Sequence, residues 1–383
     1  MPVPDPPPDI EDRRSSPIRR QESTGSPVFR VTVIVTTLAV FAGSLAFVAR
    51  SFGRGPGGPV PGAIQSGSTL PPAGSVHLSF PPRYGAASGT PGVLWVSGQG
   101  GVAEVNPASG TVPLSESLPG WNGPIAVGVG SVWVLTAEQL VRIDAATGKI
   151  VAAIPVVGTD VVVGDGAVWI AGVNGDSVDR VDPGTNSVVA QIGLNCGSDC
   201  QLYAIAYGAG AVWVESGLSG SVYKIDPASD QLVDTIPNVV GPHADGIVVS
   251  GTTLWAANGV EGQVTKVDTT TDGVTGQISI CGASPVSCSG GPASIQLTAA
   301  LGAVWALSSD GSLLRIDPVT GLVSLIDRFA PAPGTAVPEV VTIVGASDAL
   351  WGLQPALSSV ATIPPTPQPA PSPTGPQPGP SAS

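Results

Sequence analysis

Residues 166–172 read GAVWIAG, and six other stretches of the chain repeat its apolar–tryptophan pattern, four of them with the same leading glycine. The seven tryptophans are Trp95, Trp133, Trp169, Trp213, Trp255, Trp305 and Trp351. Successive ones lie 38, 36, 44, 42, 50 and 46 residues apart. This spacing is typical of propeller blades with four strands each. The sequence therefore predicts an all-β fold, a seven-bladed β-propeller with four-stranded blades.

Each copy belongs to a longer repeat that ends in a polar turn. The second copy continues from GSVWVLT through LVRID and AATG to KIVAAI, so apolar strands alternate with turns. An aspartate opens the turn and can accept backbone N–H bonds there. We predict structural roles for the turn aspartates Asp144, Asp182, Asp226, Asp268 and Asp317. We also expect the tryptophans to pack between blades, and the basic residue before each aspartate to lie on an exposed strand face.

The last repeat lacks an outer strand, and an unassigned apolar stretch precedes the first repeat. That stretch is SVHLSF, residues 75–80, which contains His77. Pairing it with the last blade would close the ring and remove an open sheet edge. We therefore predict that the propeller spans residues 75–363 and that residues 75–80 supply its closing strand.

The N-terminal region predicts a membrane anchor. Residues 31–49 are uncharged and mostly apolar, and as a helix they would be about 28 Å long, enough for a hydrocarbon core. Five arginines precede this segment within residues 1–30, which predicts a cytoplasmic N-terminus and an extracytoplasmic propeller at the cell membrane. The alternative is a cleaved signal peptide, with the cut after Ala46.

Two segments of biased composition flank the predicted ring. Residues 50–74 form a Gly/Pro-rich linker, and residues 364–383 form a Pro-rich tail that we expect to be disordered. From Gly55 onward the chain carries 8 basic and 23 acidic residues, so its net charge is 8 − 23 = −15. Such a charge argues against nucleic acid as a partner.

The four cysteines form two close pairs, as expected in an oxidising compartment. Cys196 lies near Cys200, and Cys281 lies near Cys288, each pair within a Gly/Ser-rich loop. We predict two local disulfide bonds. A zinc site made by all four is disfavoured, because the spacings do not match those of zinc ribbons.

Candidate binding residues lie in the loops that share one face of the ring. In a propeller, the connections between blades and the loops between the second and third strands share one face, here called the loop face. The longest insertions fall between blades 3 and 7, so this face is the predicted binding surface. Its candidate residues are Trp121, Glu138, Asn174, Asp176, Glu215, His243, Asp245, Asn258 and Glu261.

Motifs for catalysis are few. The chain has two histidines and contains no GxSxG, HExxH, phosphate-binding loop or EF-type calcium loop. We therefore assign no catalytic residue beyond His243 as a candidate, and no metal site.

The pattern GxGxVWV followed by RIDPxTG resembles the YVTN and streptogramin lyase-like (virginiamycin B lyase-like) family of seven-bladed propellers. In the lyases, the resemblance implies a catalytic histidine in a PH-A/G-IT segment, a glutamate in LWFTE and an assisting magnesium ion. Here Pro242-His243-Ala244 matches the first segment, but LWAAN places Asn258 at the glutamate position. The next repeat reads GGPASIQL and offers no second histidine.

These features predict a membrane-anchored extracytoplasmic propeller that binds an envelope protein or a small ligand and has no cofactor. The alternative is a divergent lyase or hydrolase that uses His243 with Mg²⁺. A sensor role would need a membrane partner, because residues 1–30 are too few for a catalytic output domain.

Overall fold

The computed structural model describes most of residues 75–364. The residues that it leaves undescribed within that range are 89, 119, 121, 174–175, 198–199, 242–243, 260, 281–293, 332–333, 335–337 and 339, and the side chains of 244–245. The predicted anchor, linker and tail lie outside the described residues, except for Pro364. Across the residues that are described, no helix is both long and apolar enough to cross a membrane.

The described strands form seven four-stranded antiparallel sheets. Blade 1 contains β2 (Pro82–Ala87), β3 (Leu94–Gly98), β4 (Gly100–Asn106) and β5 (Thr111–Leu118). Blade 2 contains β6 (Asn122–Gly128), β7 (Ser131–Thr136), β8 (Leu140–Asp144) and β9 (Ile150–Ile154). Blade 3 contains β10 (Gly158–Gly164), β11 (Ala167–Gly172), β12 (Ser177–Asp182) and β13 (Ser187–Gly193).

The remaining blades repeat this order. Blade 4 contains β14 (Leu202–Gly208), β15 (Ala211–Ser216), β16 (Ser221–Asp226) and β17 (Gln231–Ile236). Blade 5 contains β18 (Ala244–Ser250), β19 (Thr253–Asn258), β20 (Gln263–Asp268) and β21 (Gly273–Ser279). Blade 6 contains β22 (Ile295–Ala300), β23 (Ala303–Ser308), β24 (Ser312–Ile316) and β25 (Val323–Arg328). Blade 7 contains β26 (Thr342–Gly345), β27 (Leu350–Gln354), β28 (Ser359–Thr362) and β1 (Ser75–His77).

The seventh blade closes the ring as the sequence predicts. Strand β1 pairs with β28, with Val76 opposite Val360. Each innermost strand also contacts the innermost strands of both neighbouring blades, including β26 with β2. The N-terminal strand therefore joins the two ends of the repeat array.

The repeated tryptophan lies in the packing layer between blades, which confirms the prediction. All seven are at most 2% exposed. In blades 2, 3, 4 and 6 the indole N–H donates to the carbonyl of the last residue of the inner strand, at 2.9–3.4 Å. These four tryptophans therefore combine apolar burial with a satisfied polar group, which suits a large buried aromatic, whereas the buried indole N–H of Trp255 has no partner among the described residues.

The turn aspartates also have the predicted structural role. Asp144 accepts hydrogen bonds from the backbone N–H and the hydroxyl of Thr147, at 2.9 and 2.7 Å. Asp226, Asp268 and Asp317 make equivalent bonds within their own turns, and these bonds lower the pKa of their carboxyl groups. The repeated aspartate is thus a feature of the turn.

The prediction for the basic residues was wrong, because four of them lie partly buried over the tryptophans. Their charged groups are 4.9–5.5 Å from the indole centroids, within the range of cation–π attraction. The four pairs are Arg142 on Trp133, Arg180 on Trp169, Lys224 on Trp213 and Lys266 on Trp255. Strand pairing sets the contact, since each basic residue is the direct neighbour of its tryptophan.

The same four side chains connect each blade to the next. Arg142 donates to the carbonyl of Pro183 and to Asn186 in the blade 3 turn. Arg180 pairs with Asp230 at 2.9 Å in the blade 4 turn. Lys224 contacts Thr269 and Asp272 in the blade 5 turn, and Lys266 contacts Pro318 in the blade 6 turn. We call these contacts the cation–turn bridges, and they join blades 2 to 6 in series.

Blade 1 has an acid where the next four blades have a base. Glu104 pairs with Trp95, and burial raises the pKa of its carboxyl group. A carboxylate cannot donate to the turn of blade 2. We expect Glu104→Arg to stack on Trp95 and donate to the Ala145 carbonyl, raising the free energy of unfolding by about 1 kcal/mol.

Thermal unfolding at pH 7 checks this prediction. Glu116→Arg is the matched control because it makes the same change in charge on the neighbouring strand β5, where Glu116 forms only a solvent-accessible pair with Lys149 at 3.5 Å. A gain in Tm for both variants would assign the effect to net charge and refute the bridge.

Strand direction defines two faces of the ring. The connections between blades and the turns between second and third strands form the loop face. The tight turns after the first and third strands form the opposite side, here called the turn face. Because β1 and β28 are antiparallel, Ser75 and Thr362 both lie at the turn face. The chain therefore enters and leaves the ring on the side opposite the loop face.

Candidate functional site

The exposed loop-face candidates lie in separate turns. Glu138 and Asp176 are exposed at the ends of the second strands of blades 2 and 3, and Glu261 is exposed in the corresponding turn of blade 5. Asp245 lies in β18, but its side chain is outside the described residues. Trp121, Asn174 and His243 also fall outside them.

One of the two predicted disulfide bonds is present. Cys196 and Cys200 are bonded and close the loop between blades 3 and 4. Cys200 packs against the core that contains Ile192 and Leu202. The backbone N–H of Leu194 donates to the Asp176 carbonyl at 2.8 Å, so the stapled loop is fixed to the neighbouring turn. Cys281 and Cys288 lie outside the described residues.

Two predicted binding residues lie beneath the loop face. Glu215 in β15 is fully buried, and Asn258 in β19 is 5% exposed. The side-chain amide oxygen of Asn258 accepts a hydrogen bond from the backbone N–H of Glu261 at 3.2 Å. A Cβ atom on Gly241 would lie 2.6 Å from the Asn258 amide nitrogen, so glycine is required for this close approach. Asn258 thus supports the local turn.

The inner strands place a second set of residues at one level of the ring, and the polar ones among them contact the neighbouring blade. On each inner strand, one residue pairs directly with the repeated tryptophan of the second strand. The residues two positions before these partners form what we call the inner ring. Its members are Tyr84, Pro124, Asp160, Ala204, Gly246, Gln296 and Thr342. Asp160 is the acidic member of the ring.

Asp160 is held rigidly between two blades. It follows an irregularity in the pairing of β10 with β11, after Gly158. One carboxylate oxygen accepts the N–H of Val161 at 2.9 Å, and the other accepts the N–H of Ile205 in blade 4 at 3.0 Å. The carboxylate therefore covers part of the unpaired edge of the next inner strand.

Burial raises the pKa of Asp160 to about 7, although both hydrogen bonds act in the opposite direction. Burial also raises the pKa of Tyr84; Arg83 lowers it, and the negative charge of Asp160 raises it further. Residues of blades 1 and 3 therefore interact electrostatically. A carboxyl group of this kind can gain or lose a proton near neutral pH and respond to a bound charge.

Two other members of the inner ring form contacts to the next blade. The side-chain amide oxygen of Gln296 accepts a hydrogen bond from the backbone N–H of Ile343 at 3.3 Å. The Thr342 hydroxyl donates to the Arg83 carbonyl at 2.9 Å. Together with Asp160, these contacts show that polar inner-ring side chains stabilise the next blade, so a ligand that binds them would act on contacts between blades.

Sequence reasoning missed the inner ring. Asp160 occurs in TDVVVG, an apolar strand with one acid, and Gln296 occurs in IQLTAA. An alignment of the repeats on their tryptophans, with the register shifts between first and second strands taken into account, would have placed these residues at the same height on their inner strands. The signal was the presence of an acid in a strand that is otherwise apolar.

The described residues include no cluster of metal ligands. Among those that the structure describes, no group of three or more His, Cys, Asp or Glu side chains could hold a metal ion. His243 and Cys281–Cys288 lie outside that set.

Comparison with known proteins identifies the fold. No protein-family model matches the chain, and no curated protein matches it either. Solved structures match well. A catalytically inactive virginiamycin B lyase from Staphylococcus aureus, with quinupristin, has a TM-score of 0.61 at 15% identity, and the match covers 75% of this chain and 97% of that one.

Two further structures give similar values. A streptogramin B lyase has a TM-score of 0.60 at 15% identity, covering 75% of this chain and 95% of that one. Kuenenia stuttgartiensis hydrazine synthase has a TM-score of 0.61 at 14% identity, covering 81% and 100%. These proteins differ in activity and share the architecture, so the likeness concerns the fold. The chain is therefore a seven-bladed propeller similar in fold to the streptogramin lyases.

Proposed function

We propose that the protein is a membrane-anchored extracytoplasmic binding module whose loop face and inner ring engage an envelope protein or a small ligand without catalysis. The observation that carries the proposal is Asp160, a partly buried carboxyl group with a pKa raised to about 7. Titratable groups with strongly shifted pKa values cluster at binding and catalytic sites, which supports this choice.

The position of the chain ends supports this use of the loop face. Ser75 and Thr362 lie at the turn face, so a linker before residue 75 and a tail after residue 363 both start from that side. The disulfide-stapled loop and the exposed carboxylates of Glu138 and Asp176 lie on the loop face.

The role of Asn258 supports binding without catalysis. Its carboxamide accepts a backbone N–H from Glu261 and is nearly inaccessible to solvent. An amide cannot act as a general acid or base in the way that a carboxylate does. The position that the lyase resemblance assigns to a glutamate thus holds a turn-stabilising residue in this chain.

Site-specific cross-linking of the full chain in its native envelope tests the proposal. A photoreactive residue at Glu138 or Asp176 samples the loop face, and one at Asp165 samples the turn face. We expect a common partner to be captured from the first two positions and lost from Asp165. Equal capture from all three positions, or capture only from Asp165, would refute a loop-face binding site.

The similarity to virginiamycin B lyase favours a second candidate, a divergent lyase or hydrolase. In this alternative His243 acts with Mg²⁺ on a substrate related to quinupristin. The full chain would be incubated with quinupristin with and without Mg²⁺, beside a His243→Ala variant. Magnesium-dependent ring opening that the variant lacks would establish the enzyme and overturn the non-catalytic proposal.

A further inference from the structure

Blade 6 carries a bridging base that contacts no described turn. In blades 2–5 the basic residue before each turn aspartate stacks on its tryptophan and donates to the turn of the next blade. Arg315 holds the same position in blade 6, directly opposite Trp305. No hydrogen bond, ion pair or ring contact joins its guanidinium to another residue that the structure describes. The cation–turn bridge from blade 6 to blade 7 is therefore incomplete.

The four complete bridges end on acceptors at two fixed places in the turn. The first place is the residue after the turn aspartate, which accepts through its carbonyl oxygen. The second place lies four residues after the aspartate and accepts through a side-chain oxygen. The carbonyl acceptors are Pro183, Thr269 and Pro318, and the side-chain acceptors are Asn186, Asp230 and Asp272. The repeat thus indicates where the acceptors for blade 6 belong.

The chain keeps the register of the repeat after strand β28. Thr362 pairs with Trp351 and so holds the place of the bridging base in blade 7. The next residue, Ile363, is 2% exposed and packs in the cluster that contains Trp305 of blade 6. Pro364, the last described residue, therefore lies at the place of the turn aspartate. The segment that starts at residue 365 leaves the ring where a turn of blade 7 would lie.

The sequence of this segment resembles the turns of the other blades. Residues 362–368 read TIPPTPQ, and residues 180–186 of blade 3 read RVDPGTN. In this alignment Pro365 matches the proline after the turn aspartate, and Gln368 matches the asparagine that accepts from Arg142. Proline keeps its carbonyl acceptor, and glutamine has a side-chain amide oxygen. Acceptors of the required kinds thus occur at both places.

We propose that residues 365–368 dock on blade 6 as the counterpart of this turn, with the Arg315 guanidinium donating to the Pro365 carbonyl and to the Gln368 side-chain oxygen. Arginine has five N–H donors, so one guanidinium can serve both acceptors. The prolines restrict the free tail, which lowers the entropy that docking costs. The start of the Pro-rich tail would then connect blades 6 and 7, a role beyond binding at the loop face.

Intramolecular photo-cross-linking of the full chain tests this proposal. A photoreactive residue replaces Gln368, and the Pro365 carbonyl remains to hold the segment. We expect a cross-link to the tryptic peptide that contains residues 316–328 of blade 6. Arg315→Ala should lower the yield of this product at least about threefold. Arg315→Lys keeps a donor of the kind that Lys266 uses on Pro318 and should retain most of the yield.

Gln377 is the matched control for the position of the probe. It lies in the same tail and has the same proline neighbours as Gln368, but it is nine residues further from the ring. A photoreactive residue there should give little of the blade 6 product. Equal yields from the two positions, a yield from Gln368 that Arg315→Ala leaves unchanged, or cross-links only to other molecules would overturn the proposal.

Discussion

Val76→Asp is expected to destabilise the whole ring, by about 3–5 kcal/mol in the free energy of unfolding. Val76 is 3% exposed, lies opposite Val360 and packs in the cluster that contains Phe80, Val344 and Leu353. An aspartate there would bury a charge without a partner. Because β1 also closes the ring between blades 7 and 1, the damage should extend beyond one strand.

His77→Asp is the control for this prediction. His77 is the next residue in the same strand and is exposed, so its substitution should change stability by no more than about 0.5 kcal/mol. Chemical denaturation of both variants measures the difference, and hydrogen exchange should show β26–β28 losing protection first. Similar stabilities for the two variants would mean that residues 75–80 are dispensable for closure.

The closing strand illustrates how far the sequence predicts this fold. The seven tryptophans and the turn aspartates report repeated local geometry, so blade number, strand order and the role of residues 75–80 could be predicted. The basic residues could not be placed in the same way. Alternation along the strand gives Arg142 and Lys224 an outward direction, and the twist that lays them over indoles and onto the next blade is a tertiary effect.

The candidate site was less predictable for a related reason. Loop composition indicated Glu138 and Asp176, which are exposed, but it also indicated Glu215, which is buried inside a sheet. The sequence GAVWVES does not reveal whether its glutamate is exposed in a loop or buried in a strand. Only packing against the neighbouring blade decides between these two positions. Asp160 shows the reverse error, since the contact that distinguishes this acid within an apolar strand is to the Ile205 N–H of another blade.

Asp160→Asn is expected to stabilise the protein at neutral and alkaline pH and to have little effect near pH 4. The pKa of Asp160 is about 7 in the folded state and 3.8 as the ordinary value. Between these values the folded state binds the proton more tightly than the unfolded state. The stability of the wild type therefore falls as pH rises through this window and levels off above about pH 7.

Asparagine resembles the protonated acid and does not titrate, so the stability difference should grow from pH 4 to pH 7. A shift of this size corresponds to at most about 4 kcal/mol. Because the two backbone N–H bonds to the carboxylate offset part of the cost of burial, we expect a gain of about 1–2 kcal/mol. Thermal unfolding followed at several pH values should show a Tm increase of about 2–3 °C at pH 8.

Asp144→Asn provides a control of opposite sign in the same chain. Hydrogen bonds from Thr147 lower the pKa of Asp144, so its carboxylate stabilises the folded state above the ordinary aspartate pKa. This variant should lose stability at neutral pH, and the loss should vanish as the solution becomes acidic. If the Asp160→Asn difference did not change with pH, Asp160 would be fully hydrated and the inner ring would lose its ionisable binding group. Growth of that difference toward pH 8, with the opposite trend for Asp144→Asn, would instead confirm that Asp160 binds its proton more tightly in the folded state than in the unfolded state.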